Sequence, residues 1–234
     1  YELWRFVSPA LYDNEKKGVR GAFLFAGLLF YAGLAVGYAV ILPLMINFFA
    51  GYQVSPDVPN KYQPTEEIID RGFGLISVGY KDITSDDGDF TNGLAGAVYK
   101  NAERTAYSPG KIAMWAWAAM RVMDYALTLP GIDHKCISVC GHSRLGKTAL
   151  LAGALDERFF CAFSNNSGNS GAALSRNNTG ETIEVITRVF PYWFCKNYKK
   201  YANNENSLPF DQHYLIGANV PHRVYVASAL GDEW

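Results

Sequence analysis

The sequence predicts an α/β fold with a mostly parallel sheet, preceded by a transmembrane α-helix. From about residue 59 onward, strand-like apolar runs alternate with helical ones, which is typical of a parallel sheet covered by helices. Before that point, no Asp, Glu, Lys or Arg occurs between Arg20 and Asp57, a gap that an ordinary soluble domain does not need. We therefore divide the chain into residues 1–58 and residues 59–234.

The charge and the cysteines argue against several kinds of partner. The formal net charge is −1 and charged residues make up 18% of the chain, so no nucleic-acid partner is expected. The cysteines lack the spacing of metal ligands, and we expect buried free thiols and no metal site. They are Cys136, Cys140, Cys161 and Cys195.

The uncharged run from residue 21 to residue 50 is long enough to cross a bilayer, which takes about 20 apolar residues. A signal peptide would be shorter and have a small-residue cleavage site, and a buried core helix would not need so long a run without charge. Lys16, Lys17 and Arg20 precede the run, so the positive-inside rule places the first 20 residues in the cytoplasm. The chain is then anchored in a bacterial membrane, with its second segment extracytoplasmic.

The first segment also resembles a known membrane protein. The run WRFVSPALYDNEKK, the span and GYQVSPDV are similar to the multispanning subunit of the twin-arginine protein translocase. In that family a Phe and a Glu of the cytoplasmic loop help to bind the signal peptide, and the resemblance assigns these places to Phe6 and Glu15. The family has six spans, so a working subunit is excluded by length. We expect a chimeric or misassembled reading frame joined near residues 57–62.

In the second segment, apolar runs and turn signals predict the order of the elements. Ser108 is the expected N-cap of the first long helix, with Pro109 in its first turn. The predicted strands are 74–80, 136–141, 159–164 and 223–230, and the predicted helices are 110–129 and 145–155.

Two motifs compete for the turn between the second predicted strand and the helix after it. Residues 141–148, GHSRLGKT, satisfy the phosphate-loop pattern GxxxxGK[ST]. They also approximate a nucleophile elbow of the α/β-hydrolase type, with Ser143 in the strained turn and Leu145 in place of the usual second glycine. A phosphate loop needs a magnesium-binding Asp after a hydrophobic strand, and Asp232 is a poor candidate. The residues between the two glycines of GHSRLGKT are also too bulky for their backbone amides to approach a phosphate closely. The nucleophile elbow is therefore favoured.

From about residue 62 the chain resembles the glucuronoyl esterases, carbohydrate esterases that cut lignin from glucuronoxylan. The resemblance is carried by PTEEIIDRGFGLISVGYKDI, GHSRLGK, SNNSGNSGAALSR, LPFDQH and VASALGDEW. It implies an α/β-hydrolase fold, hydrolysis of esters of (4-O-methyl)glucuronic acid on xylan, no cofactor, and a secreted or periplasmic enzyme. Acetyl-xylan esterase is the nearest alternative chemistry, and a P-loop nucleotide-binding protein is the alternative from another class.

The resemblance gives roles to five further residues. Arg144 adds its guanidinium to the oxyanion site, although a surface ion pair is the alternative for this residue. Lys147 and Glu181 contact the glucuronoyl sugar. The acid that some members carry after the strand following the elbow helix is missing, because Asn165-Asn166-Ser167-Gly168 stands there. Asp232, in a D-x-W motif, is then the acid, and Trp234 is a sugar-contacting tryptophan.

No histidine can be assigned as the general base. Chain order in this fold is Ser, then acid, then His, and all four histidines, His134, His142, His213 and His222, precede Asp232. His142 lies beside the serine and points the wrong way, while the resemblance makes His213 structural or substrate-side. We therefore expect a C-terminally truncated domain that is nearly inactive.

Overall fold

The structure, a computed structural model, describes residues 25, 26, 28–31, 64–99 and 103–229. The chain divides into two compact units, Tyr1–Leu75 and Ile76–Trp234. Residues 25, 26 and 28–31 are helical, and helix α1 follows at Thr65–Asp70. None of the helices among these described residues is both long enough and apolar enough to span a bilayer. Most of the predicted span 21–50 lies outside the described residues.

The second unit contains a three-stranded sheet and six α-helices among its described residues. The helices are α2 (Tyr80–Ile83), α3 (Gly93–Tyr99), α4 (Lys111–Ala126), α5 (Arg144–Leu155), α6 (Ile183–Val189) and α7 (Gln212–Gly217). The strands are β1 (Ser138–His142), β2 (Cys161–Asn165) and β3 (Arg223–Ala227). Two 3-10 segments, Lys196–Tyr201 and Glu205–Ser207, lie between α6 and α7.

The strands lie in the order β1-β2-β3 and both pairings are parallel. The predicted parallel α/β fold is therefore confirmed, and each strand lies within three residues of its predicted limits. In such sheets the ligand site forms where the carboxyl ends of the strands meet. β1 and β2 end in register, with His142 opposite Asn165, and Asn165 lies opposite Ala227 at the end of β3. These three ends define the edge at which a site can form.

Helices α4 and α5 form the core on one face of the sheet. Met123 and Ala116 of α4 pack with Ala152 of α5 and Phe159, while Trp115 and Ile112 of α4 pack with Ile186 and Trp193. Half of the 16 residues of α4 are buried, so apolar burial at roughly 25 cal/mol per Å² stabilises this layer. The other face presents the cross-strand row Cys140, Phe163 and Tyr225, all exposed.

Three local predictions are wrong. Residues 74–79 form no strand, because an extended run becomes a strand only where a neighbour completes its hydrogen bonds. Ser108 does not cap α4, since its hydroxyl accepts from the Thr105 amide instead. Gly110 occupies the N-cap, where it lies so close to Trp193 that a Cβ would approach the Trp193 oxygen to 2.3 Å. The cysteines are free, but Cys136 and Cys140 are exposed rather than buried.

Candidate active site

Ser143 occupies the turn that joins β1 to α5, in a backbone conformation that serine rarely adopts. Its φ is 56° and its ψ is −120°. A positive φ in a non-glycine residue costs of order 1–3 kcal/mol and persists only where the surroundings enforce it. The half-buried serine thus stands at the carboxyl edge of the sheet as the last residue before a helix. This is the geometry of a nucleophile elbow.

Two glycines and one hydrogen bond enforce the turn. The Ser143 amide donates to the Asn165 carbonyl oxygen at 2.8 Å, which ties the turn to the end of β2. A Cβ on Gly141 would lie 2.0 Å from the Leu145 oxygen, so only glycine fits there. A Cβ on Gly146 would lie 3.0 Å from the Asn165 oxygen, which allows α5 to pack closely on β2.

Arg144 begins α5, so its amide is among the helix-terminal N–H groups without an intrahelical acceptor. The helix also directs its partial positive charge toward this end. The guanidinium forms an ion pair with Asp86, whose side chain is only 7% exposed against 31% for Arg144. The structure therefore shows the ion pair that was the alternative for Arg144, and the oxyanion role of this residue stays a prediction.

An aromatic cluster surrounds the Arg144 guanidinium. Its Cζ lies 5.0 Å from the ring centroid of Trp193, 5.7 Å from that of Phe190 and 5.9 Å from that of Tyr80. Phe190 and Trp193 stack with their centroids 3.8 Å apart and an interplanar angle of 3°. Cations near ring faces are attracted by the ring quadrupole. The cluster also helps to exclude water from the Arg144–Asp86 pair.

Lys147 lies one turn along α5, with its side chain 4% exposed. Its ammonium donates at 2.6 Å to both the Ser167 and the Asn169 carbonyl oxygens, and lies 3.4 Å from Glu181 Oε2. Burial lowers the pKa of Lys147, against the opposing effect of the Glu181 carboxylate. The predicted pair of sugar-binding residues is thus brought together, with Lys147 holding the loop after β2 and Glu181 beside it.

This arrangement argues against the phosphate-loop alternative. In a phosphate loop the lysine must reach the phosphates of the nucleotide. Here the Lys147 ammonium is directed at two backbone carbonyl groups and a carboxylate, which are groups that repel a phosphate.

The position of the missing acid links β2 to β3. The Asn166 amide donates to the Ala227 carbonyl oxygen at 2.7 Å, and its side-chain oxygen accepts from the Ala229 amide at 3.0 Å. The chain beyond β3 therefore leaves from the same edge as Ser143. Asp232 and Trp234 lie outside the described residues, as do Phe6 and Glu15, and their roles stay predictions.

The four histidines are described, and none of them hydrogen-bonds the Ser143 hydroxyl. His142 is exposed on β1, and its Nδ1 lies 3.2 Å from the side-chain nitrogen of Asn165. His134 Nε2 lies 3.0 Å from the Leu129 carbonyl oxygen. His213 is exposed on α7, and its ring packs against that of Tyr214 at an interplanar angle of 47°. His222 precedes β3, and its Nε2 is buried with no partner among the described residues.

Sequence reasoning missed Asp86 and Trp193. The Trp193 indole N–H donates to Asp86 Oδ1 at 2.8 Å, while Asp86 Oδ2 accepts from Arg144. Asp86 belongs to the run SDDGD, where three aspartates look alike in sequence. Only the fold distinguishes them, because it turns this one alone toward the elbow arginine.

Comparison with known proteins agrees with this geometry. The family model described as glucuronyl esterase of fungi matches residues 44–234, and the model of the translocase protein TatC matches residues 1–71. Carbohydrate esterase MZ0003, from an unknown prokaryotic organism, is 43% identical over 171 residues, which cover 72% of this chain and 40% of that protein. The chain belongs to the glucuronoyl esterase family. The predicted resemblance is thereby confirmed for the second segment.

Other relatives of the family agree. The 4-O-methyl-glucuronoyl methylesterase of Podospora anserina is 33% identical over 177 residues, covering 71% of this chain and 36% of that protein. A glucuronoyl esterase structure from Solibacter usitatus is 42% identical with a TM-score of 0.69, covering 73% and 44% of the two chains. The structure of a promiscuous esterase from a marine bacterial metagenome is 42% identical with a TM-score of 0.68, and the match covers 75% of this chain and 45% of that chain. The chain thus spans about two fifths of the length of its curated relatives.

Proposed function

We propose that the chain carries the nucleophile half of an enzyme that hydrolyses esters of glucuronic acid. The observation that carries this proposal is Ser143 at a φ of 56° between β1 and α5, followed directly by Arg144. The Ser143 Oγ attacks the ester carbonyl carbon, and the carbonyl electrons move to the oxygen. The Arg144 amide and guanidinium stabilise that oxyanion. The general base takes the Ser143 hydroxyl proton and passes it to the departing alcohol. Water then hydrolyses the acyl-serine, which releases the acid and restores the Ser143 hydroxyl.

The substrate class is a uronic acid ester on xylan, such as the lignin–carbohydrate ester of glucuronoxylan. The buried Lys147–Glu181 pair supports a polar sugar site one helical turn from the nucleophile. The names of relatives support it too, because the protein from Podospora anserina is a 4-O-methyl-glucuronoyl methylesterase. In this proposal Asp232 orients the general base and Trp234 contacts the sugar.

A substrate comparison tests the proposal. In a domain completed with the C-terminal part of a related esterase, methyl or benzyl glucuronate should be hydrolysed faster than acetylated xylan, and Ser143→Ala should abolish both reactions. Equal rates on the two substrates would favour a generic esterase, which is a sharp alternative because one relative is described as promiscuous. ATP binding without any reaction of Ser143 would instead favour a nucleotide-binding protein.

We also propose that residues 21–50 anchor the esterase segment to a membrane, with that segment extracytoplasmic. The translocase match over residues 1–71 supports this, and it overlaps the esterase match over residues 44–71. The predicted junction at 57–62 lies inside that overlap. Glycosylation mapping should place Asp57 and the following residues on the far side of the membrane, and full protection on the near side would contradict it.

The fusion itself and its translocase-like loop have separate tests. Amplification of the junction from source DNA should give one continuous product if the fusion is natural, and no product if it arose in assembly. Binding of a twin-arginine signal peptide, lost on Phe6→Ala or Glu15→Ala, would indicate that the translocase-like loop keeps its recognition function.

A further inference from the structure

The carboxylate of Asp86 joins two groups that both border the elbow. One oxygen accepts from the Arg144 guanidinium and the other accepts from the Trp193 indole N–H at 2.8 Å. The Asp86 side chain is 7% exposed, and Trp193 is buried. A carboxylate in such surroundings needs partners for both of its oxygens, and the structure supplies them.

The loop that carries Asp86 is fixed by a second buried cation. Lys111, at the start of α4, is fully buried and donates to Thr84 Oγ1 at 2.8 Å and to the Asp89 carbonyl oxygen. The Trp115 indole donates to the Thr84 carbonyl oxygen at 3.3 Å. Both ends of the loop are therefore held by the first two turns of α4, and Asp86 lies between them.

The Arg144 side chain needs such a support because it is long and lies at a helix end. Ordering a free arginine side chain costs rotamer entropy. The planar guanidinium has five donor N–H groups, and the bond to Asp86 comes from Nη1. Among the described residues, the other guanidinium donors form no hydrogen bond, so they are free to bind another acceptor.

We propose that Asp86 is a positioning residue that holds the Arg144 guanidinium in place for the oxyanion formed at Ser143. This inference rests on the proposed function and adds a residue that acts only through Arg144. Asp86 itself makes no contact with the substrate. Its carboxylate fixes the direction of the guanidinium, and Trp193 fixes the carboxylate.

The test measures how fast Ser143 of the full chain reacts with an alkyl fluorophosphonate. In that reaction a Ser143 Oγ–phosphorus bond forms, the phosphorus–fluorine bond breaks, fluoride leaves, and the hydroxyl proton passes to added imidazole. Removal of one oxyanion donor in other enzymes costs about 10²–10³-fold. We expect Asp86→Asn to slow labelling at least about tenfold, because the Arg144 guanidinium keeps its charge but is no longer held in one orientation.

Asp156→Asn is the matched control, because Asp156 is also 7% exposed and pairs with an arginine, Arg158, that is 39% exposed. It should leave the labelling rate unchanged. In an Arg144→Gln background, Asp86→Asn should give no further decrease. A further decrease there, or an equal decrease for Asp156→Asn, would mean that Asp86 acts on the fold rather than through Arg144.

An NMR measurement reads the same link without any reaction. The NMR signal of the Trp193 indole N–H should shift in Arg144→Gln. The Asp86 carboxylate that accepts this N–H then lacks its charged partner. Faster labelling of Asp86→Asn, or an unmoved indole signal, would overturn the proposal. Because fluorophosphonates react with serine hydrolases of any substrate class, loss of the uronate activity alone would contradict the proposed function and leave this inference standing.

Discussion

The Ser143 amide donates to the Asn165 carbonyl oxygen at 2.8 Å, so the candidate nucleophile is fastened to the carboxyl end of the neighbouring strand. This bond joins β1 and α5 to the loop that Lys147 holds after β2. A substitution at this junction can therefore change both the free energy of unfolding and the reactivity of Ser143. Each of these two quantities can be measured by itself.

The first prediction concerns Gly141. Gly141→Ala should destabilise the domain by more than about 3 kcal/mol, because the new Cβ would lie 2.0 Å from the Leu145 oxygen, which is a backbone atom that cannot move aside. Urea unfolding measures the change. Gly217→Ala is the control, since a Cβ there meets nothing within 4 Å, and an equal loss in both variants would contradict the steric argument.

The second prediction concerns Asp211, at the N-cap of α7. Burial by itself raises the pKa of this carboxyl, but bonds from the backbone amides of Ser175, Arg176 and Gln212 outweigh it, so the pKa lies below 3.8. Asp211→Asn should cost about 1–3 kcal/mol at neutral pH, because one amide donor would face the new NH₂ group.

The pH dependence of that effect has a definite sign. A lowered folded-state pKa means that the unfolded chain binds the proton first, so the stabilisation is complete above pH 3.8 and is lost as the pH falls through the folded pKa. Urea midpoints of the parent and of Asp211→Asn should therefore converge at the acid end. A gap that stays constant to low pH would show that the carboxylate charge is irrelevant. The exposed Asp70→Asn serves as the control.

The third prediction concerns Glu181. Glu181→Gln should raise KM for methyl glucuronate by about ten- to a hundredfold, corresponding to roughly 1.5–3 kcal/mol for one hydrogen bond to a charged group. The labelling of Ser143 by fluorophosphonate should stay unchanged, because that probe has no sugar. Glu184→Gln is the control, because Glu184 is a partly exposed glutamate of α6 that pairs with Arg188 instead of Lys147. A loss of labelling in Glu181→Gln would assign Glu181 to the elbow instead of the sugar.

The fourth prediction concerns the general base. Since no described histidine hydrogen-bonds Ser143, the chain by itself should turn over ester slowly, and added imidazole should increase the rate. Joining the C-terminal part of a related esterase should restore turnover, and Asp232→Ala should remove it again. If His142→Ala abolished the activity of the unextended chain, His142 would be the base and the assigned order of the triad would be wrong.

The elements that could be predicted are those whose evidence lies within a few neighbouring residues. The runs that became β1, α5, β2 and β3 show their period directly, and Ser143 lies in a recognisable turn. The N-cap of α4 could not be predicted, because Gly110 is required by the approach of Trp193 from a distant part of the chain. Asp86 could not be selected from its run for the same reason, since its partners are 58 and 107 residues away.

The second glycine of this turn lies one residue later than in the usual G-x-S-x-G pattern. This affects how such enzymes are found in sequence searches. Gly146 now fills the narrow gap against Asn165 and Ser167, while Leu145, in the place of the usual second glycine, packs with the cluster around Trp115 and Ile186. The packing of this turn requires a residue without a side chain beside Asn165 and Ser167, and not a glycine at a fixed number of residues after the serine. A sequence search for the common G-x-S-x-G pattern would miss this chain. A search of structures for a serine with a positive φ between a strand and a helix would retrieve it.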